Sequence, residues 1–222
     1  MLKYLELTVQ EALKACACRM DYEKLMKTGA IDCMARNAAE DLISFSRKDP
    51  SANSDPLIIL KTYTSYAATL HYRISNWVHQ ENDNGNRRFD PYLPAQISRR
   101  GKFLSGAEIH FRSQIGKRFI LDHGFGTVIG ETSIIGDDCY MLGGVTLGAR
   151  GISDNPRRLR HPELGDRVQI GEFTAILGAI RIGNDVFIGP NCIISQDIPD
   201  GSKVRARSLI EITKSEPGNP SP

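Results

Sequence analysis

An α+β fold is predicted, with a helical N-terminal half followed by a three-sided coil of short parallel strands. Two observations predict it. Up to about residue 105 the apolar residues recur at helical spacing, and from residue 106 aliphatic residues recur every six positions. Neither a 3.6-residue period nor plain alternation gives a period of six, whereas a coil that allots one hexapeptide to each of three sides does.

The helical half reads as three helices. Thr8 and Glu11 have the spacing of a capping box and predict a first helix start there. A second helix is expected from about Asp32, with Met34, Ala38, Leu42 and Phe45 on one face, ended by Pro50. The third is expected to begin with Asp55 as cap and Pro56 at its first position, carrying Leu60, Tyr63, Ala67, Leu70, Ile74 and Trp77 on one stripe. The polar run "QENDNGNRR" closes it. Between the second and third helices Asp49 precedes Pro50, which favours extended backbone and a turn role.

In the second half Ile129, Ile135, Met141 and Leu147, then Leu164, Ile170, Ile176, Ile182, Ile188 and Ile194, keep the six-residue register. Two positions earlier stand small or branched residues such as Thr127, Ser133, Cys139, Thr174 and Cys192. Both sets are expected to point inward, burying a column no single coil could bury alone. Glycines that follow most of the register positions are expected to turn the chain with unusual backbone angles. From Leu147 to Leu164 is 17 residues where six would continue the coil. A loop over 148–163 is therefore expected to leave the surface, and long irregular loops in compact repeats usually serve function. The expected organisation is residues 1–105 helical, 106–205 coil with that loop, and 206–222 a disorder-like tail.

Composition narrows the function. The 222 residues carry 28 Lys+Arg against 26 Asp+Glu, a net charge of +2, without a basic stripe interleaved with aromatics, so no nucleic-acid partner is expected. No run approaches the ~20 apolar residues of a membrane helix and the N-terminus lacks a signal peptide pattern, so the expected place is the cytoplasm, without membrane attachment. Five cysteines, an odd number without a CxxC pair, read as reduced thiols that mostly pack. His110, His123 and His161 are 13 and 38 residues apart, with no closely spaced pair, so no metal site is expected. His110 reads as a packing or interface residue. His123 and His161 fall where the coil's regularity breaks.

The segments "EIH…IGKRFILDHGFGTVIGET", "VTLG" and "RHPELGDRVQIG…AILGAIRIGNDVFIG" resemble serine O-acetyltransferase, one of the hexapeptide-repeat acyltransferases. The resemblance covers roughly residues 48 to 200. It implies a left-handed parallel β-helix behind a helical N-terminal domain, and acetyl transfer from acetyl-CoA to the serine hydroxyl, giving O-acetylserine for cysteine synthesis. By the motif, His123 would be the general base, a role that suits an imidazole titrating near ~6.5. Glu108 stands where the family places an Asp that orients this base. Its extra methylene leaves two options open: compensation by the backbone, or a different substrate. Asp122 and Asp49 would hold the substrate ammonium, and Arg160 and His161 its carboxylate, with His161 also near the reacting oxygen. For CoA the resemblance points to Gly148, Gly171 and Gly189, and the loop offers Arg157 and Arg158 to phosphates. A homotrimer is expected, with a dimer of trimers open because the helical half is short. The tail lacks the terminal Ile that the family inserts into cysteine synthase, so no complex with that enzyme is expected by this route.

Other readings stay open on the residues alone. A hexapeptide acetyltransferase for sugars or antibiotics would need the base but not Asp49, Asp122 and Arg160 together. A non-catalytic trimeric scaffold or a zinc-dependent coil are the readings from other classes.

Overall fold

The computed structural model describes residues 1–83, 88–153 and 158–211. Among them are six α-helices: α1 (Leu2–Cys16), α2 (Arg19–Lys27), α3 (Ala30–Lys48), α4 (Pro56–Thr62), α5 (Thr64–Glu81) and α6 (Leu93–Ser105). No helix among the described residues is long and apolar enough to cross a membrane.

In α3 the sequence register holds: Met34, Ala38, Leu42 and Phe45 are all buried, and the chain leaves the helix at Asp49 in extended backbone. Two other expectations need correction. Thr8 is not a cap but lies inside α1, its hydroxyl donating to the Tyr4 carbonyl at 3.0 Å. The buried stripe of Leu5, Val9, Ala12 and Leu13 carries the helix upstream of it. The third helix is really two. Asp55 does cap α4, accepting from the Leu57 N–H at 2.9 Å, but Tyr63 turns extended (φ −93°, ψ 110°) and α5 restarts after it. Of the expected stripe Leu70 and Ile74 are buried and Leu60, Tyr63 and Trp77 pack half-buried against the core, while α5 also buries Tyr66 and Val78. The short α2 and α6 were not read from the sequence; α2 buries only Asp21 and Leu25, too few positions to show a period.

The second half winds through five coils. They are β1 (Glu108–Ile109), β2 (Gln114–Ile115) and β3 (Ile120–Leu121); β4 (Val128–Ile129), β5 (Ile134–Ile135) and β6 (Tyr140–Met141); β7 (Thr146–Gly148), β8 (Glu163–Leu164) and β9 (Gln169–Ile170); β10 (Ala175–Leu177), β11 (Arg181–Ile182) and β12 (Phe187–Ile188); and finally β13 (Ile193–Ile194) and β14 (Lys203–Val204). All pairing is parallel, and three sheets result: β1-β4-β7-β10-β13, β2-β5-β8-β11 and β3-β6-β9-β12-β14. The fold is the left-handed β-helix behind a helical region.

Every register position from Ile129 to Ile194 is buried, as are the small positions two residues before, Cys139 and Cys192 included. Cys18 and Cys33, in contrast, are exposed and do not pack. The glycines correct a further expectation. Left-handed backbone falls instead on residues two places further on, such as Asp138 (φ 58°), Arg167 (φ 57°) and Asp185 (φ 56°). Gly136 lacks a side chain for another reason: a Cβ there would stand 2.6 Å from the Gly165 backbone in the next coil. The coils stack too closely for one.

Helices and coil share packing. Ala68 and Tyr72 of α5 join the coil's column, while Ile120 joins the helical core. The buried Asp41 of α3 and Arg73 of α5 form an ion pair at 2.7 Å that also reaches the first coil. The tail beyond residue 211, and with it the cysteine-synthase expectation, lies outside the described residues.

Candidate active site

Between Leu121 and Ile129 the coil takes eight residues instead of six, and the excess forms a tight projection. His123 and Gly124 are both left-handed (φ 60° and 69°), and the turn is closed by Gly124 N–H to the Asp122 carbonyl at 2.7 Å and Phe125 N–H to the His123 carbonyl at 2.8 Å. Such backbone is unfavourable for a histidine by ~1–2 kcal/mol, so the fold holds it against local preference. Gly124 lies against α5: a Cβ would come within 2.9 Å of the Ser65 Cβ. The projection therefore sits at the foot of α5.

A cleft of about 380 Å³ opens there, lined by Asp49, Ser51, Thr62, Tyr63, Thr64, Ser65, Asp122 and His123. Three of the residues singled out in the sequence, Asp49, Asp122 and His123, thus come together from a helix end and a coil 73 residues later. Asp49 accepts the Ser51 N–H at 2.8 Å, so its turn role is also real, and accepts the Tyr63 hydroxyl at 2.6 Å. Asp122 accepts the His123 N–H at 2.8 Å and the Tyr140 hydroxyl at 2.8 Å. Among the described residues neither carboxylate has a Lys or Arg partner within ion-pair distance. The bond to Asp49 raises the Tyr63 phenol, and burial followed by the Asp122 bond raises that of Tyr140, so both stay protonated donors.

Glu108 is placed elsewhere. It points outward from β1 beside Val128 and pairs with Lys102 of α6. Among the described residues it forms no hydrogen bond or ion pair with His123.

Arg160 and His161 occupy another corner. His123 lies between the third sheet and the first; Arg160 and His161 lie where the first passes into the second, with the His161 ring laid on Gly130, whose Cβ would be 2.2 Å from Nε2. Thr132 organises this corner. Its Oγ1 accepts from the backbone N–H of Arg160 (3.1 Å) and of His161 (3.2 Å) and faces His161 Nδ1 at 2.8 Å. Because the Thr132 N–H donates to the same Nδ1 at 3.2 Å, that nitrogen is the acceptor and the ring proton sits on Nε2. Burial and then the Arg160 charge lower the His161 pKa, keeping the ring neutral. Glu131 accepts from both Arg160 and Arg112 (2.7 Å for Arg112), and these bonds hold its pKa down to about 2. His110, beside them, stacks on Phe111 at 4.6 Å.

The positions linked to CoA do not gather at one place. Gly171 and Gly189 are neighbours in successive coils at one corner, where the absent Gly171 side chain is already explained by Pro190 N at 2.5 Å. Gly148 ends β7, at the edge of the first sheet that leads to the second. Arg158 is exposed on the loop, and Arg157 lies outside the described residues. Among the described residues no three His, Cys, Asp or Glu side chains group as metal ligands.

Sequence reading missed Tyr63 and Tyr140 as partners of the carboxylates, and Glu131 and Thr132 as the support of Arg160 and His161. For Glu131 a signal existed: it is a charged residue directly after Gly130, at an outward place of the coil. The tyrosines carried none, since each looks like an ordinary stripe or strand residue.

The profile of the family Bacterial transferase hexapeptide (six repeats) matches residues 161–196. A serine acetyltransferase of Helicobacter pylori is 39% identical over 168 residues, which are 76% of this chain and 92% of that protein. Among solved structures, serine acetyltransferase isoform 3 of Entamoeba histolytica, in complex with cysteine, superposes with a TM-score of 0.74 at 30% identity, covering 96% of this chain and 74% of that one. That of Neisseria gonorrhoeae in complex with serine gives 0.72 at 25% identity, covering 90% and 80%. With a relative this similar across nearly its whole length, the chain is an acyltransferase and belongs to the serine acetyltransferase family.

Proposed function

We propose that the protein transfers the acetyl group of acetyl-CoA to the hydroxyl of L-serine, with His123 as general base. The observation that carries this reading is the cleft in which His123 stands beside two carboxylates, Asp49 and Asp122, fixed by neutral donors and without an ion-pair partner among the described residues. Two such carboxylates suit one ammonium. The relatives, named for serine and in one case solved with it, supply the acceptor.

In this reading the His123 imidazole takes the hydroxyl proton as the oxygen attacks the thioester carbonyl. The tetrahedral intermediate collapses, the C–S bond breaks, and the imidazolium returns the proton to the departing thiolate. Arg160, braced by Glu131, and neutral His161 with its Nε2–H, receive the substrate carboxylate. Since they lie across the first sheet from His123, a site that uses both corners takes one from each of two neighbouring subunits, as a trimer permits. The helical part, 1–105, supplies Asp49; the coil, 106–205, supplies the rest. Gly148, Gly171, Gly189 and the loop arginines Arg157 and Arg158 are assigned to CoA on the family resemblance.

A second reading is favoured by one observation. Within the chain Glu108, longer by a methylene than the Asp of the family motif, is paired with Lys102 rather than with His123. An acceptor slightly different from serine would accommodate a differently set imidazole. Measured CoA release with serine, homoserine, threonine and small sugars decides: the highest rate with serine supports the first reading, a higher rate with homoserine or threonine supports the second, and rate with sugars alone removes both. Asp49→Asn and Asp122→Asn should each raise the serine KM by about tenfold or more, the loss of a charge-assisted bond.

A further inference from the structure

We propose that Tyr63 and Tyr140 set the amine specificity of this cleft, each fixing one carboxylate so that the pair receives the acceptor's ammonium. The inference rests on the acyl-transfer reading and deepens it. Both carboxylates are built alike. In Asp49 one oxygen takes the Ser51 N–H at 2.8 Å and the other the Tyr63 hydroxyl at 2.6 Å. In Asp122 one oxygen takes the His123 N–H and the other the Tyr140 hydroxyl, both at 2.8 Å.

Two consequences follow from the chemistry of these donors. A carboxylate held at both oxygens cannot rotate away, so its remaining lone pairs keep a fixed direction. A phenol, unlike a Lys or Arg, is neutral, so it fixes the group without cancelling its charge. The cleft thereby keeps two negative charges for a cationic ligand. A guanidinium in either place would have neutralised one. The phenols are themselves held: the Tyr63 ring meets Phe45 edge-on at 5.4 Å, and Tyr140 packs against the helical core. Removal of a hydroxyl alone therefore leaves the rings in place. These are positioning residues, acting through the carboxylates rather than on the reacting atoms.

The test uses the full chain and the variants Tyr63→Phe, Tyr140→Phe and the double variant. CoA release from acetyl-CoA is measured with serine and with its deaminated analogue 3-hydroxypropanoate, and serine binding is followed by calorimetry. The expected result is a serine KM raised about tenfold per hydroxyl with kcat changed less than about threefold. The preference for serine over the analogue should fall in step, and serine should bind more weakly. An unchanged KM and unchanged preference would overturn the inference. So would an equal loss with both substrates, which marks a structural effect. If the wild-type protein neither binds nor acetylates serine, the acyl-transfer reading fails first and this inference with it.

Discussion

Arg73 clasps Asp41 with two bonds, Nε to Oδ2 at 2.7 Å and Nη2 to Oδ1 at 3.0 Å, deep between the helices and the first coil. The same carboxylate accepts the Phe119 N–H at 2.9 Å, and Arg73 reaches the Ile115 carbonyl at 2.6 Å and that of Gly116. This pair ties α3, which ends at Asp49, and α5, at whose foot the cleft opens, to the coil that carries Asp122 and His123. Asp41→Ala strands a buried guanidinium and a buried N–H, so denaturant unfolding should report a loss of about 3–5 kcal/mol. A loss under about 1 kcal/mol, the range of an exposed pair, would show that the pair is not a tie.

Close stacking of the coils predicts unequal costs for equal substitutions. At Gly136 a methyl group would meet the Gly165 backbone at 2.6 Å, whereas at Gly189 nothing lies nearer than 3.5 Å. Gly136→Ala should therefore lower stability by about 1–3 kcal/mol, as overpacking does, and Gly189→Ala by much less. Comparable thermal midpoints for the two variants would refute the stacking account.

These examples also explain what the sequence could reveal. The coil was legible because its inward column repeats every six residues and each register position is buried, Ile129 to Ile194. The reason for its glycines was not, since contact between coils relates residues such as Gly136 and Gly165 whose separation along the chain varies with each loop. In the helical half α3 was legible from a regular apolar face, while the break at Tyr63 was hidden, because the same tyrosine fits a helical stripe and a bond to Asp49 equally well. The motif pointed to Asp49, Asp122 and His123, which do share a cleft. It could not foresee that Glu108 would be taken by Lys102, a contact six residues away that competes with any partner for the same carboxylate.

Glu131 predicts a split effect on catalysis. It braces Arg160 and Arg112 without lying beside His123, so Glu131→Gln should free Arg160 and raise the serine KM about tenfold, with a smaller change in kcat. Steady-state kinetics reads both constants. A variant with wild-type KM would mean that Arg160 is placed without this support.

Acidity should weaken the fold in a defined window. Burial lowers the pKa of His71, and burial together with Arg160 lowers that of His161, so both rings remain neutral in the fold below the pH at which they charge when unfolded. The unfolded chain then binds more protons. Stability is full above ~6.5 and falls as pH drops from there toward the folded values. The thermal midpoint should be lower at pH 5.5 than at pH 7.5 on this histidine linkage. A midpoint at pH 5.5 equal to or above that at pH 7.5 would contradict it.

In the proposed mechanism His123, held in left-handed backbone beside Asp49 and Asp122, is the base. The most direct measurement is the rate of CoA release from acetyl-CoA and serine by the wild-type protein and by His123→Ala, with the fold of the variant verified by its thermal midpoint. Loss of general-base catalysis predicts a fall in kcat of about 10² to 10⁴-fold. A folded His123→Ala protein that keeps the full rate would contradict the account.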